Sequence, residues 1–540
     1  MADAHVTVTN GRLAGTLSPD GRVRTFLGVP YAAPPVGELR WRPPHPVPRW
    51  SGVRSATHYP PSAVQPRVAA NSLYCGGERE FSEDCLYVNV WTGPADHSAR
   101  PVMVWFHFGA FQFGSASNPL YDGETLAREG VTVVGVNYRL NRFGFFAHPA
   151  LSAESDHGVS GNYGMLDQIA ALQWVRDNIE AFGGDPTCVT IMGVSAGGHS
   201  VHNLRASDLA AGLFHRAVAQ SGPGVAPVLD GPGHAASPQS LAAGEQAGSE
   251  VAALLGVRTA AQLRAVPAEE LAAVMLPRFT GPWLSDSLPG VSTSMHVFDS
   301  AYPVVDGYVL RESPLAAYRS GRAHDVPMIV GNTGNEGSGL PYLTTVADYR
   351  AYLHAEYPQL ADRLLDLYPA ASDADVPSAS RALEADRVFV WSSWTAARLQ
   401  ARLDRSPVWH YVFLRQPPIS THSDVAEKAY AGAFHGAELP YLFGTHHVWD
   451  WAWTPADHTL GRQVRAAWLS FAASGDPMGQ PDRTPVLPWW PRFAENETTT
   501  LAWDLPTSGV AEVVSRERMA MLDEFNGLVV QDAPSGPHQL

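Results

Sequence analysis

Cys188-Val-Thr-Ile-Met-Gly-Val-Ser-Ala-Gly-Gly-His-Ser-Val-His202 changes character at Ser195. Ahead of it stands a short β-branched apolar run, the signature of a buried strand; behind it come small residues that can open a helix. The pentapeptide Gly193-Val194-Ser195-Ala196-Gly197 joins the two with G-x-S-x-G spacing. A strand that turns this sharply into a helix lifts one serine Oγ clear of the sheet, and glycines flank it because a Cβ would clash. Ser195 is therefore the candidate nucleophile. With 48 glycines in 540 residues, the pattern arises by chance at roughly 0.3 per chain, so its context must decide.

Outward from that turn, strand and helix alternate. Cys85–Trp91, Val102–Phe106, Val131–Val136 and Val189–Met192 are short, β-branched and nearly continuous in apolar residues, as strands covered on both faces should be. Leu166, Ile169, Ala170, Leu172, Val175, Ile179 and Phe182 follow helical spacing, and Gly183-Gly-Asp-Pro186 stops that helix. Val6–Thr9, Leu13–Leu17 and Val23–Val29, separated by turn residues, read as an N-terminal antiparallel meander. The pattern predicts an α/β fold: a large, mostly parallel central sheet with helices on both faces. No linker, charge run or repeat divides the chain, so residues 1–540 are expected to form one domain. Residues 223–300 and 340–404 read as helical, sheet-free insertions over the active-site mouth, and the Pro/Gly-rich tail after Leu528 as loose.

Composition excludes several classes. Hydrophobic residues make up 45% and charged residues 17% of the chain, enough to bury a large core. Acidic residues outnumber basic ones 53 to 37 with no Lys/Arg cluster, a field that repels phosphate backbones and anionic lipid. Neither nucleic acid nor a membrane is an expected partner. No apolar stretch approaches the roughly 18 residues of a membrane span, and Met1-Ala-Asp-Ala-His5 lacks the basic and apolar regions of a leader, which gives a cytoplasmic expectation. Cys75, Cys85 and Cys188 lack metal-ligand spacing; Cys75 and Cys85 are either bridged over a short loop or both reduced.

A serine nucleophile needs a base within hydrogen-bond reach and an acid to orient that base. After a turn of this type they follow in the order serine, acid, histidine. The acid candidate is Glu336, in Gly331-Asn-Thr-Gly-Asn-Glu-Gly337 directly after the apolar run Val326–Val330. Asp306 is its rival, but Asp306-Gly307 reads as a turn. The base candidate is His435, in Ala433-Phe-His-Gly436 after the apolar run Trp409–Leu414; His422, His446 and His447 lack such framing, and His199 reads as structural. The oxyanion of a tetrahedral intermediate also needs donors, worth on the order of 3 kcal/mol each. The backbone N–H groups of Gly109 and Ala110, after the strand ending at Phe106, and of Ala196 are the candidates. This chemistry calls for no metal and no cofactor.

With these motifs in order, the chain resembles the type-B carboxylesterases, the cholinesterase-like branch of the α/β-hydrolases. The resemblance covers about residues 5–525 and rests on Phe26-Leu-Gly-Val-Pro-Tyr31, Ser82-Glu-Asp-Cys-Leu-Tyr87, Asn162-Tyr-Gly-Met-Leu-Asp-Gln168, Phe182-Gly-Gly-Asp-Pro186 and Phe471-Ala-Ala-Ser-Gly-Asp-Pro477 besides the site motifs. It implies a Ser195–His435–Glu336 triad, an acyl-enzyme hydrolysed by water, an Arg40–Glu83 ion pair and Ser221 supporting the triad. Departures stand out. Val194 replaces the family's glutamate, Cys75 and Gly339 replace aromatics that hold a quaternary ammonium, Phe108 replaces a glycine of the oxyanion loop, and Ala63 replaces the disulfide partner of Cys85. Uncharged short to medium-chain or xenobiotic esters are thus expected as small-molecule substrates rather than choline esters. Phe108, Phe111, Val194, Trp391 and Phe434 are the expected substrate-lining residues. A catalytically silent binding protein is disfavoured because all three triad residues are present; an amide or lactone hydrolase would use the same triad. Activity should rise as His435 loses its proton.

Overall fold

A computed structural model describes residues 4–78, 80–96, 98–229, 237–274, 283–284, 301–479, 487–494 and 499–528. The N-terminal meander is present as β1 (Ala4–Val8), β2 (Gly11–Leu17) and β3 (Arg24–Pro30), all antiparallel. The apolar runs become β4 (Tyr87–Thr92), β5 (Arg100–Phe106), β6 (Thr132–Val136) and β7 (Gly184–Val194), then, past β8 (Arg216–Gln220), which the sequence reading did not single out, β9 (Met328–Thr333) and β10 (Val408–Phe413), and the sheet closes with β11 (Thr499–Trp503) and β12 (Gly509–Glu512). The order across the sheet is β1-β2-β3-β4-β6-β5-β7-β8-β9-β10-β11-β12, with Val53–Ser55 paired to β2 as the thirteenth strand. From β6 to β11 every pairing is parallel; β3–β4, β4–β6 and β11–β12 are antiparallel.

Period-two alternation sorts the core into two layers. Along β5, Val102, Val104 and Phe106 join one cluster, which includes residues of α1 (Tyr163–Asn178), α2 (Ala196–Ala206) and α3 (Trp391–Leu403). Met103 and Trp105 join the other, shared with Val464, Trp468 and Phe471 of α4 (Pro455–Ser474). Helices thus cover both faces. The helix expected to reach Phe182 ends its α-helical part at Asn178 and tightens to a 3₁₀ turn that Gly183, at φ +83°, terminates.

Two expectations about the insertions are corrected. Residues 223–300 are not sheet-free: besides helices Leu241–Leu254, Ala260–Ala265 and Ala268–Ala273, Gln239–Ser240 pairs in parallel with Val304–Val305. Two residues are too short to show alternation, so the sequence carries no trace of that pairing. Residues 230–236, 275–282 and 285–300, and the tail after 528, lie outside the described residues. In 340–404, helices Val346–Glu356, Ala361–Leu367 and Val376–Ala385 are followed by α3, which packs on β9 and β10 and so belongs to the sheet's own helical layer rather than to a cover.

Candidate active site

Parallel strands put their C-terminal ends on one edge, and ligands in such folds bind there. Gly193 of β7 is in register with Phe106 of β5, Val194 with Gln220 of β8, Gln220 with Gly331 of β9, and Thr333 with Phe413 of β10. The segments that follow these strand ends carry Ser195, the 107–111 loop, Ser221, Glu336 and His435.

Ser195 caps α2 with φ 59° and ψ −120°, a conformation that L-residues rarely adopt and that marks a functional turn when the surroundings enforce it. The enforcement is visible. Ser195 N–H donates to Gln220 O at 2.9 Å, and Ser195 O accepts from His199 N–H at 2.8 Å. A Cβ on Gly197 would collide with the Phe106 carbonyl, and one on Gly198 would come within 2.7 Å of Gln220 O. The glycines let α2 start directly against β5 and β8.

The loop after β5 is equally constrained. Gly109, Ala110 and Phe111 all have positive φ (118°, 52° and 61°), two of them non-glycine, while Gly109 O accepts from Gln112 N–H and Phe113 N–H. Gln65 clamps the far side, its Oε1 accepting from Gly114 N–H and its Nε2 donating to Gly114 O. Among the described residues the N–H groups of Gly109, Ala110 and Ala196 have no acceptor. The inserted Phe108 ring does not unfold the loop: it packs edge-on to Tyr74, Phe113 and Tyr121. His107, buried on Tyr138, is held neutral because burial lowers its pKa to about 4.

On the other side of Ser195, Glu336 Oε1 accepts from Ser221 Oγ at 2.6 Å and from Thr333 N–H, and Glu336 Oε2 bonds His435 Nδ1. His435 Nε2 is buried and carries no hydrogen bond, so it is free for a proton from the serine; the bond to Ser195 Oγ is not made in this structure. Such contacts often tighten only once substrate is bound. Asn335 N–H bonds Ala433 O, and Ser338 Oγ accepts from His435 N–H at 3.0 Å, so the acid loop and the base loop are sewn together. Asp306, the rival acid, instead closes a turn through Tyr308 N–H and Leu310 N–H.

The substrate-lining expectations fare unevenly. Phe108 stands beside the site. Val194 is fully buried at the end of β7, in one cluster with Met192, Trp105, Tyr74 and Phe108. Trp391 also lies in the core, its Nε1 donating to Asp523 at 2.7 Å. Phe434 packs on Trp449 and Trp451, and Phe111 against Phe145 and His199. Arg40 and Glu83 form the expected pair, bidentate at 2.5 and 2.7 Å. All three cysteines are free, and Ala63 and Cys85 line one small cavity.

Three neighbours of His435 were not read from the sequence. Phe389, on a π-helical turn (Asp386–Val390), lies 4.4 Å from the imidazole. Tyr74 lies at 6.4 Å, and its ring fills the space over Gly339. Glu438 is wholly buried; burial foremost, then the Glu336 charge, pushes its pKa up to about 7. Its Oε1 accepts from Gln220 Nε2 at 2.9 Å.

A mostly parallel sheet whose strand ends gather a strained serine, a histidine and a carboxylate defines an α/β-hydrolase. Over residues 2–522 the chain matches the carboxylesterase family, and it belongs to that family. It is 38% identical to fumonisin B1 esterase of Sphingopyxis macrogoltabida (88% of this chain, 82% of that protein) and 34% identical to para-nitrobenzyl esterase of Bacillus subtilis strain 168 (93% and 95%). A solved PNB esterase superposes with a TM-score of 0.77 at 31% identity, over 96% of this chain and all of that one. The protein is a carboxylic-ester hydrolase acting on small-molecule esters.

Proposed function

We propose that Ser195, His435 and Glu336 act as nucleophile, general base and orienting acid, with Gly109, Ala110 and Ala196 as oxyanion donors. The observation that carries this reading is the hydrogen-bonded line Ser221–Glu336–His435, ending on a buried, unbonded Nε2. Ser195 Oγ attacks the ester carbonyl carbon as its proton passes to His435 Nε2. The carbonyl oxygen becomes an oxyanion facing the three N–H groups. Collapse expels the alcohol, protonated by His435, and leaves an acyl-serine. Water, deprotonated by the same nitrogen, then releases the acid and restores Ser195. Glu336 keeps the Nδ1 tautomer and stabilises the imidazolium in each half.

Uncharged short to medium-chain or xenobiotic esters are the proposed substrates. Support comes from Val194, which puts no negative charge directly before Ser195, and from relatives whose names specify fumonisin B1 and para-nitrobenzyl esters. The test is hydrolysis of p-nitrophenyl acetate, butyrate and octanoate by the wild type and by Ser195→Ala. Turnover should fall by at least about 10³-fold in the variant, and the chain-length profile should favour the shorter acyl groups. A folded Ser195→Ala protein with undiminished turnover would overturn the reading.

A further inference from the structure

We propose that Tyr74 is a specificity-determining residue, its fixed ring setting the size of alcohol that the site can release. The inference rests on the triad reading above, because only a group beside His435 can receive the proton that expels it. The leaving group must therefore lie on the His435 side of Ser195.

Tyr74 walls that side. Its ring meets Phe108 of the oxyanion loop edge-on at 6.1 Å and stands 6.4 Å from His435, so it bridges the two halves of the site. A Cβ on Gly339 would come within 2.9 Å of three atoms of the ring and its hydroxyl, so the volume over Gly339 is already taken. The ring is also held. Its hydroxyl bonds Ser338 Oγ at 3.0 Å, the same oxygen that accepts the His435 N–H. Behind it, Ser72 Oγ and Leu73 N–H donate to the buried Glu427 at 2.7 and 3.1 Å, and Ala426 N–H donates to Asn71 O. Segment 71–75 is thus anchored to the loop that leads into His435, and a ring fixed at both ends excludes volume rather than yielding it.

The experiment measures kcat/KM on two ester series: acetates of methanol, butanol, benzyl alcohol and 1-naphthylmethanol, and p-nitrophenyl esters of growing acyl length. Tyr74→Ala should raise the naphthylmethyl-to-methyl ratio by about 10-fold or more, the worth of a few buried methylenes, and leave the acyl profile unchanged. Tyr74→Phe, which keeps the ring and loses its tether, should move the same ratio by less than about threefold. Gly339→Ala should lower activity in the wild type and be tolerated beside Tyr74→Ala, a non-additivity that reports the shared volume. An unchanged alcohol ratio in folded Tyr74→Ala, or an equal shift in the acyl series, would overturn the proposal. Should Tyr74→Ala not fold, Tyr74→Leu carries the same expectation and the same refutation. Wild-type turnover that does not depend on Ser195 would sink the triad reading instead, and it is measured first.

Discussion

Ser195 is held by residues within four positions of it and by the two strands beside its own; His435 is held by groups from 71–75, 333–338 and 389. The nucleophile side is a backbone device. Strand, turn and helix are contiguous, and its glycines stand where a Cβ has no room. The acid–base side is a side-chain device, a hydrogen-bonded chain of hydroxyl, carboxylate and imidazole across loops far apart in sequence. A backbone device should fail all at once when its geometry is blocked, and a side-chain device by degrees.

Gly197→Ala gives the largest expected effect. The added methyl meets the Phe106 carbonyl, which belongs to a central strand and cannot yield. We expect a cost above about 4 kcal/mol, seen as loss of soluble protein or a large fall in melting temperature. Gly509→Ala, with nothing near its Cβ, should change neither and serves as the control. A stable, active Gly197→Ala enzyme would break the contrast on its nucleophile side.

That contrast also accounts for what could be read from the chain alone. The turn around Ser195 was legible because strand, glycines and helix start are adjacent, and Glu336 and His435 because each follows an apolar strand within a glycine-bearing loop. Tyr74 and Phe389 were not legible, since their proximity to His435 comes from the path of loops and carries no periodicity; Glu438 is three residues from His435, but its full burial and its bond to Gln220 are set by the fold.

Ser221→Ala tests the side-chain device at its outer link. The hydroxyl donates to the Glu336 oxygen that also receives Thr333 N–H, so one charge-assisted donor is lost and one remains. Such a bond contributes about 1.5–3 kcal/mol, and the expected outcome is a kcat lower by roughly 10- to 100-fold with KM little changed. A fall in melting temperature with kcat intact would mean that Ser221 supports the fold and not the triad.

Glu438→Gln should have the smallest effect on turnover and the most informative pH profile. With its pKa pushed up to about 7 from an ordinary carboxylate value of 4.5, Glu438 holds a proton in the folded state that the unfolded chain has already released between those pH values. The unfolded state binds fewer protons there, so this group makes stability fall as pH rises from about 4.5 to 7 and level off above. Glutamine cannot ionise, and the variant should lose that slope. Because the Glu438 charge interacts with His435, ionised Glu438 also favours the imidazolium formed during turnover. The wild-type to Glu438→Gln ratio of kcat should then be near one at low pH and rise to no more than about threefold above pH 8. A ratio that is large and constant across pH would show that the carboxyl acts through packing against Gln220 rather than through its charge, and the graded behaviour assigned to the acid–base side would end at Glu336.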